Sequence, residues 1–372
     1  MIKNLQALRG IAALLVLWQH TRVPLSILSP SSNQTIFQFF GPIGVDLFFI
    51  ISGYVISLTA LKKHHGPVDF FFARLGRVVP LYLLVSLFWI GIACLGHSRT
   101  LSFPSIWNGV FYLPIFDFDR YTSPPLDIGW TLSFEMWFYS AFALLLNFWN
   151  PKKVALLLPM LFLAGTGIIT CYHGSWFFPC FMFHPFVVEF GLGCLIFLSQ
   201  PWIVGKSPYL LILLGSFYFL SFSLRTNFLG NPESMLQNQA HLAWERVIFW
   251  GLPMALLAAG LIALEVEMKI VLPEVIVWIG GFSYSLYLTH RAVGLLVINV
   301  GRFLGWHAPL LIIPIMFFSS LVFAWACWTW IEKPLTLRAQ NWLSVLARSL
   351  SKARTSPLPD SATRGSFPIS SP

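Results

Sequence analysis

The chain has 372 residues, a formal net charge of +9, 57% hydrophobic residues and only 10% charged ones, with Phe 36 and Trp 16. Soluble domains carry about 25% charged residues, so this composition excludes a soluble globular fold and implies a polytopic membrane protein. The apolar stretches divide into about ten segments long enough to cross roughly 30 Å of hydrocarbon. They fall near 5–23, 40–60, 78–96, 129–148, 154–171, 182–199, 208–224, 247–265, 279–301 and 308–331. The expected fold is all-α, a membrane bundle of about ten transmembrane helices.

The first segment carries Arg9 and His20. A central Arg costs about 2.5–3.5 kcal/mol on insertion scales, so an intramembrane ionisable residue marks a candidate functional site. Eleven residues at ~100° each bring the helix about 20° past three turns, so the two side chains share one stripe, ~16 Å apart along the axis. Arg9 interrupts the apolar run and no small-residue cleavage site follows, so this segment is expected to stay in the mature protein.

Gly44-Val45-Asp46-Leu47-Phe48-Phe49 opens the second segment and leads to Ser52-Gly53-Tyr54. Asp46 is placed at the depth of His20, where a carboxylate can orient an imidazole during proton transfer. It can equally cap the helix or satisfy a neighbour, and the glycines can serve close helix packing. At the mouth of the third segment, Arg74 and Arg77 are three apart and share a helix face. Their guanidinium forks suit phosphate; the plainer reading is an anchor snorkelling to lipid headgroups.

Trp130-Thr131-Leu132-Ser133-Phe134-Glu135 enters the fourth segment after Pro124 and Pro125. A carboxylate facing lipid is costly, so Glu135 is expected to face a cavity or partner and to converge with His20 and Asp46. Ser133 and Glu135 are about 200° apart on a regular helix, so either one alone reaches the site or the segment is irregular. In the ninth segment Ser283, Tyr287 and His290 recur at i, i+4 and i+7, a polar stripe expected to face the interior. A His in such a stripe is commonly a satisfied hydrogen-bonding residue. The histidines lack ligand spacing, so no metal is expected.

With the N-terminus inside, the inner loops hold nine basic residues (Lys3, Lys62, Lys63, Arg74, Arg77, Lys152, Lys153, Lys206 and Lys269). The outer loops hold six (Arg22, Arg99, Arg120, Arg225, Arg246 and Arg302). This bias places both termini in the cytoplasm. Much of the positive charge is then cytoplasmic and calls for no nucleic-acid partner. Residues 1–336 form the membrane domain and 337–372 a basic Ser/Pro-rich tail, expected to be disordered from Ser349 onward. Outer loops near 97–128 and 225–245 are long enough for a lid. Cys94, Cys194 and Cys327 are expected to pack as small apolar groups, whereas Cys171 and Cys180 flank an outer loop where pairing is an open alternative.

Taken together, Leu5-Gln6-Ala7-Leu8-Arg9-Gly10 with His20, the Gly44 to Phe49 run with Ser52-Gly53-Tyr54, Arg74 with Arg77, the Trp130 to Glu135 run, and Ser283-Tyr284-Ser285-Leu286-Tyr287-Leu288 with His290 resemble acyltransferase family 3 membrane proteins. Five motifs in order over about 330 residues carry the resemblance. It implies transfer of an acyl group, usually acetyl, from cytoplasmic acyl-CoA to a hydroxyl of a cell-envelope or exported carbohydrate: polysaccharide, lipopolysaccharide or glycolipid. It also implies an integral protein of a bacterial-type inner membrane, in the form without an added hydrolase-like domain. Arg74, Arg77 and Arg9 would hold acetyl-CoA. His20, Glu135 and Asp46 would be catalytic, with Ser133, Tyr287 and His290 in support. The competing class is a multi-span transporter of a small polar or carbohydrate-linked substrate, because buried Arg, His and carboxylates also mark transport paths.

Overall fold

The computed structural model describes residues 2–31, 41–62, 66–96, 102–118, 121–171, 177–203, 207–223 and 240–355. These residues are helical throughout their ordered elements. α1 (Lys3–Leu28), α2 (Gly41–Lys62) and α3 (Pro67–Gly96) are followed by the short α4 (Phe103–Phe111) and by α5 (Trp130–Leu145). Next come α6 (Pro151–Thr170), α7 (Phe177–Met182), α8 (Phe186–Ile203), α9 (Pro208–Tyr218), α10 (Ala240–Arg246) and α11 (Leu252–Met268). The chain closes with α12 (Glu274–Gly281), α13 (Ser283–Leu304), α14 (Pro309–Cys327) and α15 (Lys333–Thr355).

Among the described residues, seven helical runs are long and apolar enough to cross a bilayer: Lys3–Leu28, Gly41–Lys62, Pro67–Gly91, Pro151–Thr170, Phe177–Gln200, Ala243–Met268 and Pro309–Ala347. They make the chain an integral membrane protein. The other three expected segments are helical but fall short for physical reasons. α5 has 16 residues, the stretch Pro208–Ser221 is shorter than a span needs, and α13 carries too many polar side chains, Ser283, Ser285, Thr289 and His290 among them.

Local chemistry sets the helix ends. Asn150 caps α6 by accepting from the Lys153 N–H, with proline in the first turn, a usual start signal. The α1 start is held from outside, because the N–H groups of Lys3 and Asn4 donate to the two carboxylate oxygens of Glu265 at 2.8 and 2.6 Å. That satisfies two orphan donors and sets an anion against the positive end of the helix dipole.

α1 is central and packs against α2, α12 and α13. α2 crosses α8 with almost no side-chain spacer. A Cβ at Gly53 would strike the Phe190 carbonyl, and one at Gly193 would strike the Ile50 carbonyl. Small residues thus let two backbones touch where there is no hydrophobic drive between helices.

The stretch that composition marks as a tail begins as α15, a 23-residue helix. Gln340 and Leu343 lie against Gly76 of α3, and Ala347 is 1% exposed, so residues at helical spacing bury one face despite the polar composition. Residues 356–372 lie outside the described residues, as do Lys63, Arg99, Arg120, Lys206 and Arg225, residues 97–101 and 119–120 of the first long loop and residues 225–239 of the second. Cys194 and Cys327 are buried, while Cys171 and Cys180 are free thiols.

Candidate functional site: an arginine-lined cavity and a histidine pair

A cavity of about 660 Å³ opens among α1, α2, α3, α5, α13 and α15, within the range of small-molecule sites, about 300–1,000 Å³. Along α2 its lining runs from Lys62 through Thr59, Val55 and Ser52 to Phe48 and Val45. Phe48 and Lys62 are fourteen residues apart on the helix, roughly 21 Å of rise. The lining also includes Arg74, Arg77 and Gln340, with Arg9 contributed by α1, and Thr131 and Tyr287 beside Phe48.

Arg74 and Arg77 lie one turn apart on α3, which puts both on the cavity face, and Arg74 is 8% exposed. Its guanidinium lies 5.6 Å from the centroid of the Phe70 ring. Among the described residues, none of Lys62, Arg9, Arg74 and Arg77 takes part in a salt bridge. Glu135 lines the same cavity and accepts hydrogen bonds from the Ser52 hydroxyl at 3.0 Å and from the Tyr139 hydroxyl one turn along its own helix. Glu265, the other acid there, is already engaged by the start of α1. The cavity lining is therefore net cationic, four basic side chains against two carboxylates.

Next to Tyr287, two imidazoles meet. The rings of His20 on α1 and His290 on α13 are 4.7 Å apart, tilted by 58°. Nδ1 of His20 is 2.9 Å from the Val16 carbonyl and Nδ1 of His290 is 3.1 Å from the Leu286 carbonyl. A carbonyl only accepts, so each Nδ1 carries its hydrogen and each neutral ring keeps the lone pair on Nε2. His290 Nε2 is buried with no hydrogen-bond partner; His20 is half-buried. Tyr287 connects this pair to the cavity. Its ring is 6.1 Å from that of His290 and 5.8 Å from that of Phe48. Its hydroxyl is 2.7 Å from Thr131 Oγ1 and donates to the Ile128 carbonyl at 3.1 Å.

Comparison with known proteins gives this arrangement its family. A family model described as an acyltransferase domain matches residues 2–329. The chain belongs to acyltransferase family 3. This family member is 28% identical over 318 residues to the exopolysaccharide production protein ExoZ of Rhizobium meliloti, covering 81% of this chain and 91% of that one. It is 24% identical over 351 residues to the O-acetyltransferase OatA of Staphylococcus aureus (strain MRSA252), covering 85% of this chain and 56% of that protein. A third relative is a putative acetyltransferase, ORF330, of Acidianus two-tailed virus, 25% identical over 315 residues. No solved structure matches this acyltransferase-family chain.

In the fold of this family member the hydrogen bonds of Asp46 and Glu135 go to residues other than His20. Asp46 is fully buried and bonded to Arg246, whose Nε donates at 2.7 Å while its Nη2 donates to the Pro42 carbonyl at 2.8 Å. Glu189 is the other buried acid beside it. Asp46 therefore balances an intramembrane arginine. Arg246, counted in sequence as a loop cation, is 1% exposed. Glu135 turns to the arginines instead of to His20.

Of the two alternatives for Ser133 and Glu135, the regular helix holds. Glu135 reaches the cavity, and Ser133 is buried on another face with its hydroxyl unpartnered. Ser283, Tyr287 and His290 are all buried, as the stripe requires. Sequence reasoning passed over Tyr139, which the i, i+4 spacing from Glu135 signals, and Ser52, already inside a recognised motif. It also passed over the ion pair of Arg291 with Asp127 at 2.6 Å, which no local pattern reveals.

Proposed function

We propose that this acyltransferase moves an acyl group, acetyl first, from cytoplasmic acyl-CoA to a hydroxyl of a cell-envelope or exported carbohydrate at a bacterial-type inner membrane. The observation that carries the reading is the set Arg9, Arg74 and Arg77, lining one cavity without a salt bridge among the described residues. Glu135 and Glu332 face these three guanidiniums but do not match their number, and an anionic ligand offsets the cost of the remaining buried charge. Guanidinium forks match phosphate oxygens two at a time, and a CoA headgroup brings several phosphates. Lys62 at the end of α2 and Arg74 and Arg77 in the first three turns of α3 also support placing that side, and both termini, in the cytoplasm.

With the headgroup on the arginines, the pantetheine arm runs along the apolar face of α2, past Val55 and Ser52, and brings the thioester to Thr131 and Tyr287. There Nε2 of His20 takes the proton of the acceptor hydroxyl as the oxygen attacks the thioester carbonyl. The C–O ester bond forms, the C–S bond breaks, and the proton passes to the departing thiolate to leave free CoA. In a two-step variant Nε2 bonds the acyl carbon as the C–S bond breaks and CoA thiolate leaves; the acceptor oxygen then attacks that carbon, the C–N bond breaks, and the hydroxyl proton passes to the thiolate. His290 supports the base from the adjoining helix, and Glu135 sets the charge and shape of the donor cavity. The names of the relatives, an exopolysaccharide production protein and an O-acetyltransferase, support a carbohydrate acceptor and an acetyl donor.

Binding of radiolabelled acetyl-CoA to the purified protein tests the reading. Saturable binding that is lost in the Arg74→Ala/Arg77→Ala variant is expected. No binding, together with flux of an acceptor glycan across proteoliposomes, favours the transporter instead.

A further inference from the structure

The donor cavity and the histidine pair are separated by two rings. Phe48 and Tyr287 both line the cavity, their rings meet edge to face at 5.8 Å, and His290 lies directly behind Tyr287 at 6.1 Å. They differ in how firmly they are held. Tyr287 is 6% exposed and its hydroxyl is tied to Thr131 and to the Ile128 carbonyl, so it is a fixed edge. Phe48 is half-buried, packs against both hydrophobic clusters of the molecule, and has no polar tether. It stands on the seam between the cluster that surrounds the cavity and the cluster that surrounds α13 and α14.

We infer that Phe48, closing against Tyr287, is the aperture through which the acyl end of the donor reaches His20, and that it limits the donor to short acyl chains. The inference rests on the acyl-CoA reading above. A close-packed wall resists each added methylene, because overfilling forces side chains off their preferred rotamers. Discrimination between acyl chains differing by single methylenes is then about 10- to 200-fold per step. An acetyl group has no methylene beyond its methyl carbon and passes with the least displacement of the Phe48 ring. Because Phe48 already borders open space, its truncation enlarges the passage without leaving a sealed void.

The test uses the full chain in permeabilised cells of a strain otherwise lacking it, supplied with acetyl-CoA, butanoyl-CoA or hexanoyl-CoA. O-acyl groups on the envelope polysaccharide are read by mass spectrometry. Wild type is expected to prefer acetyl over hexanoyl by at least tenfold. Phe48→Ala should shrink that ratio at least tenfold, Phe48→Leu should shift it in the same direction by less, and Phe48→Trp should raise the preference for acetyl over butanoyl. The leucine variant keeps the question open to measurement if the alanine variant fails to accumulate. An unchanged acyl preference in Phe48→Leu and Phe48→Ala, with acetyl transfer retained, overturns the aperture while leaving the donor reading intact. If wild type transfers none of the three and binds none of them, the donor reading itself fails and the aperture falls with it.

Discussion

His20 and His290 hold their rings 4.7 Å apart, with each Nδ1 anchored to the carbonyl four residues back in its own helix. The two anchors fix the same tautomer twice and leave both Nε2 lone pairs free, one on a half-buried ring and one fully enclosed. The half-buried member, His20, is the one that can meet substrate. His290 is accordingly a positioning residue, and replacing it should hurt turnover more than binding. We expect His290→Gln to lower kcat by about 10²-fold, a typical share for general-base support, with KM for acetyl-CoA within a few-fold of wild type. Steady-state kinetics that show the reverse split would contradict the assignment.

Charge alone does not explain the two arginines of α3. If their forks grip phosphate, lysine keeps the charge but loses the bidentate geometry. Arg74→Ala or Arg77→Ala should weaken acetyl-CoA binding by about 10- to 100-fold each, the value of one charge-assisted contact. The lysine variants should recover only part of it. Isothermal titration with the protein in nanodiscs distinguishes this from simple electrostatic attraction, under which lysine restores full affinity.

Glu135 gives a prediction that separates shape from charge. Its carboxylate accepts from Ser52 and Tyr139, and Tyr139 is 5% exposed. Removing the acceptor strands a buried hydroxyl at a cost of about 1–3 kcal/mol. Glu135→Ala should therefore lower the melting temperature in detergent clearly, while Glu135→Gln, which keeps an acceptor oxygen, should not. Gln also removes a negative charge facing Arg9, so acetyl-CoA should bind this variant at least as tightly as wild type.

Much of this was legible in the sequence, and the part that was not has a common cause. Arg9, Arg74, Arg77 and Tyr287 sit in the cavity because helical periodicity and the cost of charge in a bilayer are local properties that a single chain displays. The fate of Asp46 was hidden because its partner, Arg246, is 200 residues away. Depth within a helix says nothing about which neighbour a side chain turns toward. Glu135 illustrates the same limit: its burial in the interior was foreseeable, but its direction depends on where α3 places the arginines.

The Asp46–Arg246 pair is expected to be structural. Breaking a buried pair by removing one partner costs about 3–5 kcal/mol, because the other charge stays buried. Arg246→Met should reduce folded yield sharply in fluorescence-detected size-exclusion chromatography. Combining it with Asp46→Asn should recover most of the loss. A single variant that folds and acylates like wild type would remove the pair from the architecture.

The most direct test is O-acetylation of envelope polysaccharide in a strain lacking this protein and complemented with either wild type or His20→Ala at matched membrane expression. Wild type should restore the O-acetyl groups seen by mass spectrometry. The variant should restore none, while its purified form still binds acetyl-CoA with unchanged affinity. Equal acetylation by the two proteins would contradict the placement of the reaction at His20.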